Sequence, residues 1–89
     1  MREPYLEVTF RHGLPLAAYY YLPRKSGQTP SRTRRVEPGL VIDFDDADNA
    51  LGIEITAPKR VTLGAFNKVL RDLGHPPIDE TDFAPLLAA

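Results

Sequence analysis

Cysteine and tryptophan are absent from the sequence, and histidine occurs only twice. Without thiols there is no disulfide staple and no thiolate metal site. No apolar run approaches the ~20 residues that a membrane-spanning helix needs. No basic start leads into the apolar stretch of a secretion signal, so a cytoplasmic chain with no membrane partner is expected. A glycine-rich phosphate loop, a nucleophile elbow and a histidine pair at metal-ligand spacing are all missing. His12 falls in a turn, and His75 falls just past a helix end, where an imidazolium would complement the helix dipole. With no catalytic set to name, the chain reads as non-enzymatic, with no catalytic residue and no cofactor.

What is present is enough for one small domain. A chain of 89 residues buries roughly 60–65% of its unfolded surface, which allows a single thin core. Hydrophobic residues make up 43%, close to the globular norm, so the chain is not disordered throughout. Short length without staples also fits a homodimer, which would add burial.

Alternation supplies the strands. In YLEVTF, Leu6, Val8 and Phe10 face one way and Glu7 and Thr9 the other. Arg11-His12-Gly13-Leu14 provides the turn into LAAYYYL. A three-residue loop sets Leu16, Ala18, Tyr20 and Leu22 on the apolar face and Tyr19 and Tyr21 on the other; a two-residue loop reverses them. PRKSGQTPSR, residues 23 to 32, is a loop on composition, and RTRRV reads as a short edge strand whose charges discourage aggregation. Glu37-Pro38-Gly39-Leu40 fits a type II turn. The next hairpin closes around Asp46-Ala47-Asp48-Asn49, pairing Phe44 with Leu51, Ile42 with Ile53 and Leu40 with Ile55.

The sheet thus occupies residues 5 to 57, and a helix follows over 62 to 74. Thr62 is placed to cap it, Val61 to staple to Phe66, and Gly74 to end it before Pro76-Pro77. Leu63, Phe66, Leu70 and Leu73 form its apolar stripe, widened by Val69. The expected architecture is α+β: a four- to five-stranded antiparallel sheet on one C-terminal amphipathic helix, followed by an extended tail over 75 to 89. In that tail Phe83, Leu86 and Leu87 dock either on the core or on a partner, and Pro85 limits any helix to about a turn.

Charge is segregated within a net of −1. Arg24, Lys25, Arg32, Arg34 and Arg35 form a basic strip, and Glu37, Asp43, Asp45, Asp46, Asp48 and Glu54 follow without a base among them. The pattern marks either a ligand strip or neighbouring strands that neutralise each other. Asp43, Asp45 and Glu54 match three EF-hand positions, but Ala47 and Asp48 break the template, and alternation makes this a hairpin. The three remain weak candidates for a cation, against the simpler role of keeping one hairpin face and its turn wet. Asp43 and Glu54 on one face, at ~7 Å, would repel by only about 0.6 kcal/mol in water, so no catalytic coupling is required. A nucleic-acid site on the basic strip, with Tyr19 and Tyr21 nearby, is disfavoured by a pI of about 6.1.

Residues 36 to 56 also carry a resemblance. Pro38-Gly39-Leu40-Val41-Ile42-Asp43-Phe44-Asp45 and Gly52-Ile53-Glu54-Ile55, with the upstream strand Ala18-Tyr19-Tyr20-Tyr21-Leu22, are similar to the pattern of an uncharacterised, mostly bacterial family, domain-of-unknown-function family 2283. The likeness covers about residues 5 to 57 and is most specific in its second half. It implies the same sheet and no established activity. Pro15-Leu16 stands where the family usually carries an Ala-Asp pair, and the helix lies outside the pattern.

The leading expectation is therefore a protein-interaction module contacting an unidentified protein, or a second copy, through Tyr19, Tyr21, Phe83 and Leu86. A small-ligand or cation-binding domain, or a minor enzyme, on the acidic hairpin stands second, and a nucleic-acid binder third.

Overall fold

The alternating segments become five strands: β1 (Tyr5–Arg11), β2 (Leu14–Tyr21), β3 (Arg32–Val36), β4 (Leu40–Phe44) and β5 (Ala50–Ile55). The computed structural model describes residues 3–87. Residues 88 and 89 of the expected tail, like 1 and 2, lie outside that span. All neighbouring strands are antiparallel, in the order β1-β2-β5-β4-β3. Two local units, the β1–β2 hairpin and the β3–β4–β5 meander, are joined where β5 pairs with β2. RTRRV is the far edge strand, as its charges suggest.

Register in the first hairpin contains a compensation that the sequence hides. The loop is the two-residue His12-Gly13, both with positive φ (53° and 78°), which alone would reverse the faces of β2. A bulge restores them: Phe10 pairs with Pro15 but Thr9 pairs with Ala17, so Leu16 is the extra residue. Beyond it Val8 meets Ala18, Leu6 meets Tyr20, and Glu7 meets Tyr19. A second shift lies in the β4–β5 hairpin. Leu40 pairs with Ile55 and Ile42 with Ile53, as alternation requires, but Phe44 pairs with Ala50 rather than Leu51. Leu51 is nonetheless fully buried. At the β3–β4 connection Gly39 takes φ 74°, but the Glu37–Pro38 peptide bond is cis and the turn holds three residues between paired Val36 and Leu40.

One face of the sheet carries the core. Ala18, Tyr20, Leu22, Leu40, Ile42, Phe44, Ile53 and Ile55 pack there against α1 (Leu63–Asp72) and the segments on either side of it. Thr62 caps α1 by accepting the Ala65 N–H at 3.1 Å, and Val61 and Phe66 share the core as a staple would place them. Gly74, at φ 80°, ends the helix with a Schellman pair: Gly74 N–H to Arg71 O and His75 N–H to Leu70 O. Phe66 meets the Tyr20 ring edge-on at 5.3 Å and the Phe83 ring at 5.5 Å.

The segment after the helix is not an extended tail. It forms a single helical turn, α2 (Glu80–Phe83), and a 3-10 turn over Ala84–Leu87. Asn67 fastens it: its Oδ1 accepts the Ile78 N–H at 2.8 Å and its Nδ2 donates to Ile78 O at 3.2 Å. Phe83 and Leu86 are buried in the core, so neither is available as an interface residue. The cause is area. A single helix of 10 residues cannot cover a five-stranded sheet, and the apolar tail closes the remainder. Replacing Phe83 with alanine is expected to cost about 3–5 kcal/mol in urea unfolding, the range for a buried aromatic, where a surface phenylalanine would cost under about 0.5 kcal/mol.

Candidate functional site

Among the described residues no helix covers the opposite face of the sheet, and its two central rows are set by the register. One runs Glu7, Tyr19, Glu54, Val41, Arg35 from β1 to β3, and the next runs Tyr5, Tyr21, Gly52, Asp43, Thr33. Tyr5 and Tyr21 stack with ring centres 4.6 Å apart, and Tyr21 meets Tyr19 at 4.7 Å, so three phenols form one aromatic cluster. Glu7 accepts a long hydrogen bond from the Tyr21 hydroxyl at 3.3 Å.

Tyr19 is the anchored member. Its ring crosses Gly52 on β5, and its hydroxyl donates to Asp43 Oδ2 on β4 at 2.6 Å. A Cβ on residue 52 would overlap the Tyr19 Cε1, Cζ and hydroxyl, which accounts for a glycine in mid-strand. Burial, then the hydrogen bond to Asp43 and the charge of that carboxylate, push the Tyr19 phenol well above its ordinary 10.0; Arg24 opposes the shift. The Tyr19–Asp43 bond occupies one of the acids offered for catalysis or metal, and leaves Glu54 exposed in the neighbouring row.

The acidic turn does not stay wet throughout. Asp45 is only 5% exposed. Its Oδ1 accepts the Ala47 and Asn49 N–H groups at 3.0 and 2.8 Å, and its Oδ2 accepts Asn49 Nδ2 at 3.1 Å and Gln28 Nε2 at 2.9 Å. Those donors, led by the Asn49 N–H, hold its carboxyl below the ordinary value of 3.8 despite burial. Asp48 takes φ 66° and pairs with Arg32 at 2.6 Å. Asp43, Asp45 and Glu54 therefore do not converge, and among the described residues no group of three or more His, Cys, Asp or Glu is placed to hold a metal ion.

Nor do the five basic residues share one strip. Arg32 and Arg34 lean over the Phe44 ring, 4.3 and 5.4 Å from its centre, on the core side of the β3 edge. Arg35 belongs to the open face by its place opposite Val41. Arg24 donates to Leu51 O at 3.2 Å beside the tyrosines. Arg24 and Lys25 line a groove of about 430 Å³ with Tyr5, Tyr21, Gly27 and Gln28.

Sequence reasoning placed Tyr19 and Tyr21 on this face only for a three-residue loop, whereas the bulge puts them here after a two-residue one; it missed Tyr5, the Gly52 slot and the Gln28 contact. A glycine inside an alternating strand was the one available signal for the slot. Together the elements define a small α+β domain with one face sealed and the other an anchored tyrosine surface. No protein-family model, curated protein or solved structure matches the chain.

Two outcomes follow from this geometry. Gly52→Ala should expel the Tyr19 ring, cost about 1–3 kcal/mol by overpacking, and bring the most alkaline tyrosine ionisation in an ultraviolet titration back toward 10.0. Asp45 has a depressed carboxyl, so its contribution is present above the unfolded value of 3.8 and is lost as pH falls from there through the folded value. Asp45→Asn should therefore lower stability at neutral pH and flatten the acid limb of the stability profile, read from unfolding midpoints between about pH 2 and pH 6.

Proposed function

We propose that this chain is a non-enzymatic, cytoplasmic protein-interaction module whose binding surface is the open sheet face around Tyr5, Tyr19 and Tyr21. The observation that carries the reading is the Tyr19 anchor. A ring laid over Gly52 and tied to Asp43 is already fixed, and Tyr21 and Tyr5 stack beside it. Rigid aromatic side chains give contact area at low entropic cost, which is why they dominate binding hot spots. Glu7 and Glu54 flank the cluster, so the reading favours a partner that presents arginine or lysine to the rings and carboxylates. The likeness of residues 5 to 57 to the uncharacterised family belongs to the same proposal and adds no activity to it.

A second reading, a small anionic ligand, is supported by the groove where Arg24 and Lys25 meet the Tyr5–Tyr21 stack. The same groove would serve a nucleic-acid strand by stacking and phosphate contact, with Glu3 opposing it.

Affinity capture of the tagged chain from its own cells, with mass spectrometry of what is retained, separates these. A stoichiometric protein partner should be recovered, and Tyr19→Ser with Tyr21→Ser should weaken its binding by at least about tenfold, each hot-spot loss being worth about 2 kcal/mol or more. Unchanged capture by a folded double variant would remove the tyrosine face from consideration.

A further inference from the structure

The two edges of the sheet differ in a way that the open face does not explain. β3 exposes Arg32, Arg34 and Arg35, and any two-fold pairing centred on residues 32 to 35 sets arginine against arginine. β1, hydrogen-bonded to β2 alone, has the opposite character. Among the described residues, four of the five exposed large hydrophobic side chains lie on its hairpin: Tyr5 at 43%, Phe10 at 49%, Leu14 at 40% and Leu16 at 52%. The end of that hairpin also runs past the sheet, because β5 pairs with β2 only from Ala18 to Tyr21.

We propose that the outer edge of β1 pairs antiparallel with β1 of a second copy about a two-fold axis at Thr9, joining the two sheets into one of ten strands. The sequence around Thr9 is self-complementary in this register. Thr9 meets Thr9 of the second copy, Val8 meets its Phe10, and Glu7 meets its Arg11, each of the last two pairs occurring twice. Threonine pairs, aromatic–β-branched pairs and opposite charges are the cross-strand combinations that stabilise antiparallel strands. Faces agree as well: Val8 is on the core side, where Phe10 would extend the apolar surface, while Glu7, Thr9 and Arg11 share the other side by alternation. The interface is isologous, so it closes at two copies and leaves the arginine-bearing β3 edges at the two ends. Tyr5 and Glu7 of the proposed partner surface also lie on β1, but Tyr19 and Tyr21 do not, so substitutions at those two residues separate the dimer from that surface.

Sedimentation velocity and light scattering on the full chain, from micromolar to high-micromolar concentration, supply the test. The expected result is a monomer–dimer equilibrium in which Arg11→Glu weakens association about tenfold or more, because two attractive pairs become repulsive. The double exchange Glu7→Arg/Arg11→Glu should restore it, and Tyr19→Ser/Tyr21→Ser should leave it intact. Hydrogen exchange should slow with concentration at β1 amides specifically. A chain that stays monomeric, a dimer indifferent to Arg11→Glu, an uncorrected double exchange, or oligomers that keep growing with concentration would each overturn the proposal.

Discussion

A strand has two faces, and in β2 the choice between them falls on Leu16. The tight His12-Gly13 turn would by itself send Tyr20 outward and Tyr19 and Tyr21 into the core. Three tyrosines in succession make that exchange easy to imagine from composition alone. The single extra residue at the bulge prevents it, and the remaining features follow in order. Tyr20 reaches Phe66, the helix has an aromatic floor, and Tyr19 lands opposite Glu54 with Gly52 and Asp43 within reach.

The parts of the fold that were legible are those governed by one local rule. Leu40, Ile42, Ile53 and Ile55 followed period two, and Thr62, Phe66 and Gly74 followed helix capping and periodicity. What escaped depends on residues far apart in sequence. Asp45 looked like one of several turn acids, because nothing local says that Gln28 would close over it. Tyr5 joins the tyrosine surface only through its pairing with Tyr21, and Phe83 and Leu86 were undecided between core and partner until the uncovered sheet area was known. The bulge residues themselves, Leu16 and Leu51, sit in unbroken apolar alternation and give no sign of the shift.

The segregation of charge has a structural use in this arrangement. Arg32 neutralises Asp48 across the β4–β5 turn, and Arg32 and Arg34 lie over the ring of Phe44, which is buried. Asp45 draws the loop before β3 against the same turn through Gln28. The acids and bases thus bind the end of the sheet together, while the tyrosine cluster and the β1 edge occupy other surfaces. Each surface of so small a chain is thereby left with a distinct chemistry.

The seam between β2 and β5 joins segments more than thirty positions apart, whereas the β1–β2 and β4–β5 ladders close over turns of a few residues. Chain-closure entropy is therefore concentrated on that one seam, and topology of this kind slows the search for the native state. The two units close over local turns, but neither can place Tyr19 over Gly52 without the other. The anchored tyrosine surface thus belongs to the assembled sheet and to neither hairpin unit alone.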